Sequence, residues 1–182
     1  MSDHELRKAL RRSTAELVAE TISGSIDWGA FLWDEREQVN LTSGRTGEAS
    51  TLLISLAPTP FILDGAAYAS VESFYHSLKF PVGSARRAEV AAMPGFEATQ
   101  KTRRNRARIF RFRGVDVEVD SIEHIAIVAE AVSAKVGQNP KVAEALRATG
   151  RARLDLPDGS ERRNALGRAT PIALMIERAK LR

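Results

Sequence analysis

The chain contains no cysteine among its 182 residues. This absence excludes disulfide bonds, thiolate metal sites and cysteine nucleophiles. Histidine is also scarce, because only His4, His76 and His124 occur and they lie far apart in the sequence. A histidine-rich metal site would need several ligands brought together, which three scattered residues do not favour. We therefore expect no bound metal ion, and no cofactor.

Long apolar runs are also missing. No run approaches the roughly 18 residues that a membrane-spanning helix needs, and the polar start Met-Ser-Asp-His-Glu lacks the apolar core of a signal peptide. The sequence therefore predicts a cytoplasmic protein with no membrane partner. Its length, with 43% apolar and 27% charged residues, is typical of one globular domain with a sizeable core.

Lysine is the rare basic residue. Six of the 27 basic residues are lysines, which leaves 21 arginines, and the formal net charge is +4. This mild excess favours anionic partners such as phosphates, nucleotides or nucleic acid. Lys79 is notable because Phe74, Leu78 and Phe80 are close to it in sequence. Apolar neighbours can lower the pKa of an amine and make it nucleophilic, although position alone favours a lysine whose stem covers apolar surface.

The segment from Phe61 to Pro81 is the most informative part of the sequence. It predicts a short strand, a turn at Asp64-Gly65, and a helix that begins after Ser70 and is stopped by Pro81. Glu72 and Lys79 are seven residues apart, a rotation of about 700°, so a helix would place both on nearly one face.

Tyr75 and His76 lie between Glu72 and Lys79, next to an apolar stripe formed by Val71, Phe74 and Leu78. An acid, a phenol, an imidazole and an amine are thereby grouped beside a buried seam. This arrangement predicts a site for acid/base or amine chemistry.

Residues 3–22 predict one amphipathic helix with a basic face that includes Arg7 and Arg11. A solvated face is the preferred interpretation of these charges, and phosphate contact is the alternative. We therefore divide the chain into an N-terminal helix, residues 1–25, and a domain over residues 26–182.

Two further segments frame this domain. Thr51–Leu56 is a short apolar run that fits a buried strand. Asn164–Arg182 fits a final helix, which begins either at Asn164 or after Thr170-Pro171.

Lys101–Arg113 is the most basic segment and carries seven lysines and arginines. Phe110 and Phe112 alternate with Arg111 and Arg113 at its end. This alternation suits single-stranded nucleic acid, through phosphate contacts and base stacking, and it equally suits a strand with its phenylalanines facing a core. We prefer the strand, and a contribution to phosphate binding stays open.

Three blocks of the chain resemble the NADAR, or YbiA-like, family, and together they cover roughly residues 50–182. The first block comprises Leu53-Ile-Ser-Leu-Ala-Pro-Thr-Pro-Phe61, Asp64-Gly65, Tyr68, Ser70-Val71-Glu72, Phe74-Tyr75 and Lys79-Phe80. The second, Ala134–Gly150, contains a Gln-Asn-Pro break and ends in Leu-x-x-Thr-Gly. The third is Arg163-Asn-Ala-Leu-Gly-Arg168. The resemblance implies a helix-dominated α+β single domain with a small sheet, plus an added N-terminal helix.

The resemblance also implies an activity. Known members of the family are N-glycosidases that cleave phosphorylated riboflavin-pathway intermediates or remove ADP-ribose from modified guanine in nucleic acid. By this match, Lys79 is the nucleophile that forms a Schiff base with the ribose, and Glu72 transfers protons or orients the substrate. The implied partner is a phosphorylated ribose or ADP-ribose substrate, either free or on nucleic acid. The matched substrate-binding residues are Tyr68, Tyr75, Asn139, Thr149, Gly150, Arg163 and Asn164.

The chain departs from the family pattern in three places, one of which is Lys135-Val136, where the family usually has Lys-Phe. Ile54-Ser55-Leu56 stands where the family has Ser-Asn-Phe, and the Asp and Trp-Gly that precede the third block are not evident. Asp158 is the catalytic acid we assign there, and a plain Pro-Asp-Gly turn is its alternative. Trp28 or Trp33 could replace the missing ring. The same departure favours a second hypothesis, an inactive ADP-ribose or nucleotide-binding module, and the basic residues favour a third, a nucleic-acid-binding protein.

Overall fold

The computed structural model describes residues 3–25, 32–41, 48–156 and 164–182. Within these ranges helices dominate and the strands are short. The helices are α1 Asp3–Ala9, α2 Thr14–Ile22, α3 Glu48–Leu53, α4 Val71–Ser77, α5 Ala85–Ala92, α6 Gly95–Thr102, α7 Ile122–Gln138, α8 Pro140–Ala148 and α9 Ala165–Lys180. The strands are β1 Asp34–Asn40, β2 Phe61–Leu63, β3 Ala66–Tyr68, β4 Ile109–Phe112, β5 Val115–Glu118 and β6 Ala152–Asp155. The predicted helix-dominated α+β class is confirmed.

The strands of the described ranges pair two by two. β1 and β6 run parallel although they lie far apart in the sequence, whereas β2–β3 and β4–β5 are antiparallel hairpins. Asp64 and Gly65 form the β2–β3 turn with positive φ angles of 51° and 76°. The β4–β5 turn is likewise made by Arg113 and Gly114, with φ angles of 48° and 81°. Two successive left-handed residues suit the tight connection of a hairpin.

Helix α7 occupies the centre of the core and packs against α2 and α9. Its residues Ile125, Val128 and Val132 are buried at helical spacing, so one continuous stripe faces the neighbouring helices. Full burial of each such side chain stabilises the fold by about 1.5–3 kcal/mol. Helix α7 therefore contributes strongly to the hydrophobic stability of the fold.

The N-terminal segment forms two helices, so the prediction of one helix over residues 3–22 is wrong. Ser13 is extended and makes a capping box with Glu16, which starts α2 as a new helix. Leu17 and Val18 of α2 are fully buried in the main core. The division at residue 25 stays a prediction, because the chain on its far side, residues 26–31, lies outside the described ranges.

The predicted strand Thr51–Leu56 is also wrong. Its first half belongs to α3, and Ile54–Leu56 form the bend that follows. Apolar periodicity cannot separate a strand from one buried helical turn in so short a run. The final helix is confirmed, and Asn164 is its N-cap, with Pro171 lying inside the helix. None of the described helices is long and apolar enough to cross a membrane.

Phe110 and Phe112 lie on the buried face of β4. The strand interpretation of this segment is confirmed, and the stacking of nucleic-acid bases on these two rings is excluded because the core covers them. The arginines of this segment lie in different surroundings. Arg113 forms ion pairs with Asp64 and Glu130, whereas Arg103, Arg104 and Arg108 are exposed in or beside the loop between α6 and β4.

Candidate active site

Helix α4 begins where the sequence predicts and ends earlier. Ser70 accepts a hydrogen bond from the Ser73 amide, which caps the helix, and Leu78 is its C-cap. Lys79 therefore lies one residue beyond the cap, in a turn rather than on the helix. Leu78 keeps a helical backbone conformation, with φ −56° and ψ −28°, so the turn continues in nearly the direction of the helix.

Glu72 is buried, with 8% of its surface exposed. Its Oε2 accepts from the Ser55 hydroxyl at 2.8 Å, and its Oε1 accepts from the Thr99 hydroxyl at 3.0 Å. The backbone of Ser55 also accepts from the Glu72 amide at 3.0 Å. A buried carboxylate needs such donors, and these bonds fix its position between the bend after α3 and helix α6.

His76 lies beside this carboxylate. Its Nε2 is 3.3 Å from Glu72 Oε1, and its Nδ1 is 2.7 Å from the hydroxyl of Thr102. The hydroxyl of Thr102 also donates to the Ala98 carbonyl at 2.7 Å, so it bridges the α6 backbone and the imidazole. Thr99 and Thr102 therefore use one face of α6 to hold Glu72 and His76.

The amine of Lys79 is half-buried and lies above the ring of Tyr75, with Nζ 4.2 Å from the ring centroid. Burial lowers the pKa of Lys79, and the carboxylates of Asp120 and Glu72 oppose this effect, while Arg106 adds to it. A lowered pKa means that more of the amine is neutral near pH 7 than in a free lysine, and only a neutral amine is a nucleophile.

Asp120 is the carboxylate that acts most strongly on Lys79. Its backbone is left-handed, with φ 66°, a conformation that aspartate tolerates better than most residues. Oδ1 accepts from the Ala165 amide at the start of α9 at 2.7 Å and lies 3.5 Å from the Tyr75 hydroxyl. The sequence analysis missed Asp120, since nothing in its local pattern marks it as part of this site.

The Tyr75 ring stacks on His124, with centroids 5.1 Å apart and planes 2° from parallel. Burial lowers the pKa of His124 to about 4, so the ring is neutral. Its Nδ1 accepts from the Asp120 amide at 3.0 Å, and Nε2 is buried without a hydrogen-bond partner among the described residues. Burial also raises the pKa of Tyr75. Both rings are therefore uncharged supports for the lysine.

The bend beneath Glu72 is held by a second buried lysine. Lys135 of α7 is 1% exposed, and its Nζ donates to the Ile54 carbonyl at 2.7 Å. Burial lowers its pKa to about 7. Because Ile54 precedes Ser55, this bond links α7 to the residue that holds Glu72.

The other predicted site residues lie in different surroundings. Tyr68 is buried and stacks on Phe61 at 5.5 Å, so its ring belongs to the core. The Asn139 side chain donates to the carbonyls of Pro60 and Lys135. Asn164 caps α9 directly before Ala165, whose amide binds Asp120, so this predicted residue does adjoin the cluster.

Thr149 accepts from Arg178 Nη1 at 2.8 Å, and Gly150 follows it with φ 58°. Both serve the end of α8, and their contacts within the described chain do not reach Lys79 or Glu72. Asp158 and Arg163 lie outside the described residues, as does Trp28. Trp33 is partly buried and lies 6.0 Å from the guanidinium of Arg153. The predicted roles of all these residues stay predictions.

No protein-family model matches the chain, and no curated protein matches it. Among solved structures, the Escherichia coli protein YbiA, determined by NMR, is similar to it with a TM-score of 0.58. The two sequences are 19% identical, and the match covers 83% of this chain and 89% of YbiA. Similarity at this level of identity concerns the fold alone. The described helices and strands therefore form a YbiA-like α+β fold.

Proposed function

We propose that this chain is an N-glycosidase of the NADAR type, with Lys79 as its nucleophile. The observation that carries the proposal is the half-buried amine of Lys79, whose pKa is lowered by burial beside the carboxylates of Glu72 and Asp120. The three sequence blocks and the YbiA-like fold support the same assignment. The carboxylates of Asp120 and Glu72 act on the amine through their charge and are groups that can exchange protons during imine formation.

The reaction follows from these groups. The neutral amine attacks C1′ of the ribose and forms a C–N bond, while the glycosidic C–N bond breaks and the base leaves with its electron pair and takes up a proton. Opening of the ribose ring then gives a protonated imine on Lys79. Water adds to the imine carbon, the C–N bond to the lysine breaks, and the sugar leaves as an aldehyde that recloses.

Glu72 and Asp120 are the groups that move protons in this scheme. A carboxylate near the amine can take the proton lost on attack and return it to the leaving base or to the ring oxygen. Ser55 and Thr99 hold Glu72 in one orientation, whereas Asp120 acts on Lys79 through its charge. We assign the first proton transfer to Glu72, and the adjustment of the lysine pKa to Asp120.

A phosphorylated substrate suits the surroundings of Lys79. The Asn105 side chain donates to the Lys79 carbonyl at 3.2 Å, so the loop between α6 and β4 borders Lys79, and the charge of Arg106 in this loop acts on the amine. This loop carries Arg103, Arg104 and Arg106, all exposed. Guanidinium groups bind phosphate oxygens with two parallel hydrogen bonds. The substrate class we propose is ADP-ribosylated guanine, free or in nucleic acid, or a phosphorylated riboflavin-pathway intermediate.

Incubation with each substrate, followed by mass spectrometry of the released base and sugar, tests the proposal. We expect turnover by the wild-type protein, loss of turnover in Lys79→Met, and a decrease of about 10²–10⁴-fold in Glu72→Gln. Lys101→Met is the matched control, because Lys101 is exposed and pairs only with Glu97 among described residues. Folded wild-type protein that turns over neither substrate contradicts the proposal, and ADP-ribose binding without turnover in calorimetry supports the inactive binding module instead.

A further inference from the structure

A cavity of about 510 Å³ lies between α1 and the C-terminal end of α9. Five basic residues line it: Arg7, Arg11, Arg151, Lys180 and Arg182. They come from three separate places, which are helix α1 with the turn that follows it, the turn before β6, and the last residues of α9 with Arg182 after it. None of the described residues that line this cavity is acidic. A concave surface of this size with convergent charged groups is typical of a small-molecule site.

The cavity is distinct from the Lys79 site. The first residue of α9, Ala165, binds Asp120 beside Lys79, whereas Ala179 near the other end of the same helix lines the cavity. Fourteen residues separate them, which corresponds to about 21 Å along a helix. A ligand in the cavity would therefore not reach Lys79.

The positive charges in and beside the cavity repel one another. Burial and then the charge of Arg151 lower the pKa of Arg182. Burial, Arg182 and Arg151 together lower the pKa of the neighbouring Arg178 to about 10. Lys180 is partly neutralised, because its Nζ donates to Thr14 at 2.6 Å and lies 3.5 Å from Glu177. A bound anion would offset the repulsion between Arg151 and Arg182.

The cavity also has an apolar part. Leu6 of α1 and Leu10, which directly follows α1, are half-buried and line the cavity together with Ala179. Phosphate or sulfate alone would leave these side chains uncovered, whereas a ligand with a planar ring would cover them. The volume of the cavity falls within the range of roughly 300–1,000 Å³ that is typical of small-molecule pockets.

We propose that this cavity binds a phosphorylated ligand of nucleotide size, with its phosphates against Arg11, Arg151 and Arg182 and its ring against Leu6 and Leu10. Guanidinium groups from separate elements suit a diphosphate, because each can donate two hydrogen bonds to its oxygens. The proposal is independent of the chemistry at Lys79 and holds whether or not that site is catalytic.

Calorimetric titration with ADP tests this site on the full chain. The double variant Arg11→Gln/Arg151→Gln removes two exposed guanidinium groups from the cavity. The charge-matched control Lys101→Gln/Lys141→Gln removes two exposed cations that do not line the cavity. We expect the cavity variant to bind ADP at least about tenfold more weakly than the wild-type protein, and the control variant to bind ADP as the wild-type protein does. Inorganic pyrophosphate should bind the wild-type protein more weakly than ADP, because it lacks the ring.

Several results would overturn the proposal. Wild-type protein that does not bind ADP, an equal loss in both double variants, or a loss only in the control would each exclude a specific site in the cavity. If pyrophosphate binds as tightly as ADP, the proposed contact of a ligand ring with Leu6 and Leu10 is excluded. If a short single-stranded oligonucleotide binds through the cavity arginines and ADP does not, the ligand of the cavity is nucleic acid and not a small molecule. Thermal unfolding shows whether the variants are folded, and the single variant Arg11→Gln repeats the test if Arg151→Gln destabilises the chain.

Discussion

The amine of Lys79 lies over one face of the Tyr75 ring, and the neutral, buried His124 packs in parallel with that ring. The ring attracts the ammonium form through its negative face and also covers the amine on one side. Burial nevertheless outweighs every other effect and lowers the pKa of Lys79. The stack therefore orients the amine, and burial increases the fraction of molecules in which the amine is neutral, as a nucleophile requires.

Two substitutions should move the pKa of Lys79 in opposite directions. Asp120→Asn should lower the pKa of Lys79, because the carboxylate that favours the charged amine is lost. Arg106→Gln should raise it, because a repelling charge is removed. NMR titration of the lysine side-chain signals, with exposed Lys101 as internal reference, measures both changes. Shifts of the same sign in the two variants would contradict the arrangement of charges around Lys79.

The close packing beneath Glu72 depends on a glycine. A Cβ atom at Gly95 would lie 2.8 Å from Ser70 Oγ and 3.1 Å from both Glu72 Cβ and the Leu56 backbone. Gly95→Ala should therefore lower the free energy of unfolding by about 1–3 kcal/mol, as overpacking does. Urea unfolding monitored by circular dichroism measures this loss.

Gly137 in α7 is the matched control, because a Cβ there would have nothing within 4 Å. Gly137→Ala should raise the free energy of unfolding by about 0.5–1 kcal/mol, since alanine favours the helix. If both substitutions change the free energy of unfolding equally, helix propensity alone determines the effect, and Gly95 of α6 is not closely packed against Ser70 and Glu72.

Local sequence patterns predicted the elements that are fixed by local interactions. Ser70 caps α4 with its own side chain, Asp64 and Gly65 form the β2–β3 turn, and the alternation of Phe110 and Phe112 produces the buried face of β4. The run Thr51–Leu56 was misassigned as a strand because its length fits either one helical turn or a short strand. The break between α1 and α2 was missed because the apolar spacing continues across Ser13. In the structure the capping box of Ser13 and Glu16 starts a new helix at this point.

Only the part of the site that is contiguous in sequence could be predicted, because the rest is assembled by tertiary packing. Glu72, Tyr75, His76 and Lys79 follow one another in the chain, so helical spacing groups them. Asp120 reaches Lys79 only through the tertiary packing of α9, whose Ala165 amide holds its carboxylate. The hydroxyls of Ser55 and Thr99 likewise meet Glu72 from elements 17 and 27 residues away. Such contacts have no signature in a single sequence.

Lys135 should make stability depend on pH above neutrality. Its pKa is about 7 in the folded chain and about 10.4 when unfolded, so between these values the unfolded state binds more protons. The free energy of unfolding of the wild-type protein should therefore rise relative to that of Lys135→Met by up to about 1.4 kcal/mol per pH unit between roughly pH 7 and 10. Below pH 7 both states are protonated and the difference should be constant. Urea unfolding of both proteins across this range measures the effect, and parallel pH curves would contradict a buried neutral lysine at this position.

Borohydride trapping during turnover of ADP-ribosylated guanosine tests the role of Lys79 most directly. Reduction of an imine would leave a stable sugar adduct on the attacking lysine, and peptide mass spectrometry identifies that residue. We predict an adduct on Lys79 in the wild-type protein and in Lys101→Met, and none in Lys79→Met. An adduct on another lysine, or one retained in Lys79→Met, would contradict the assignment of Lys79 as the nucleophile.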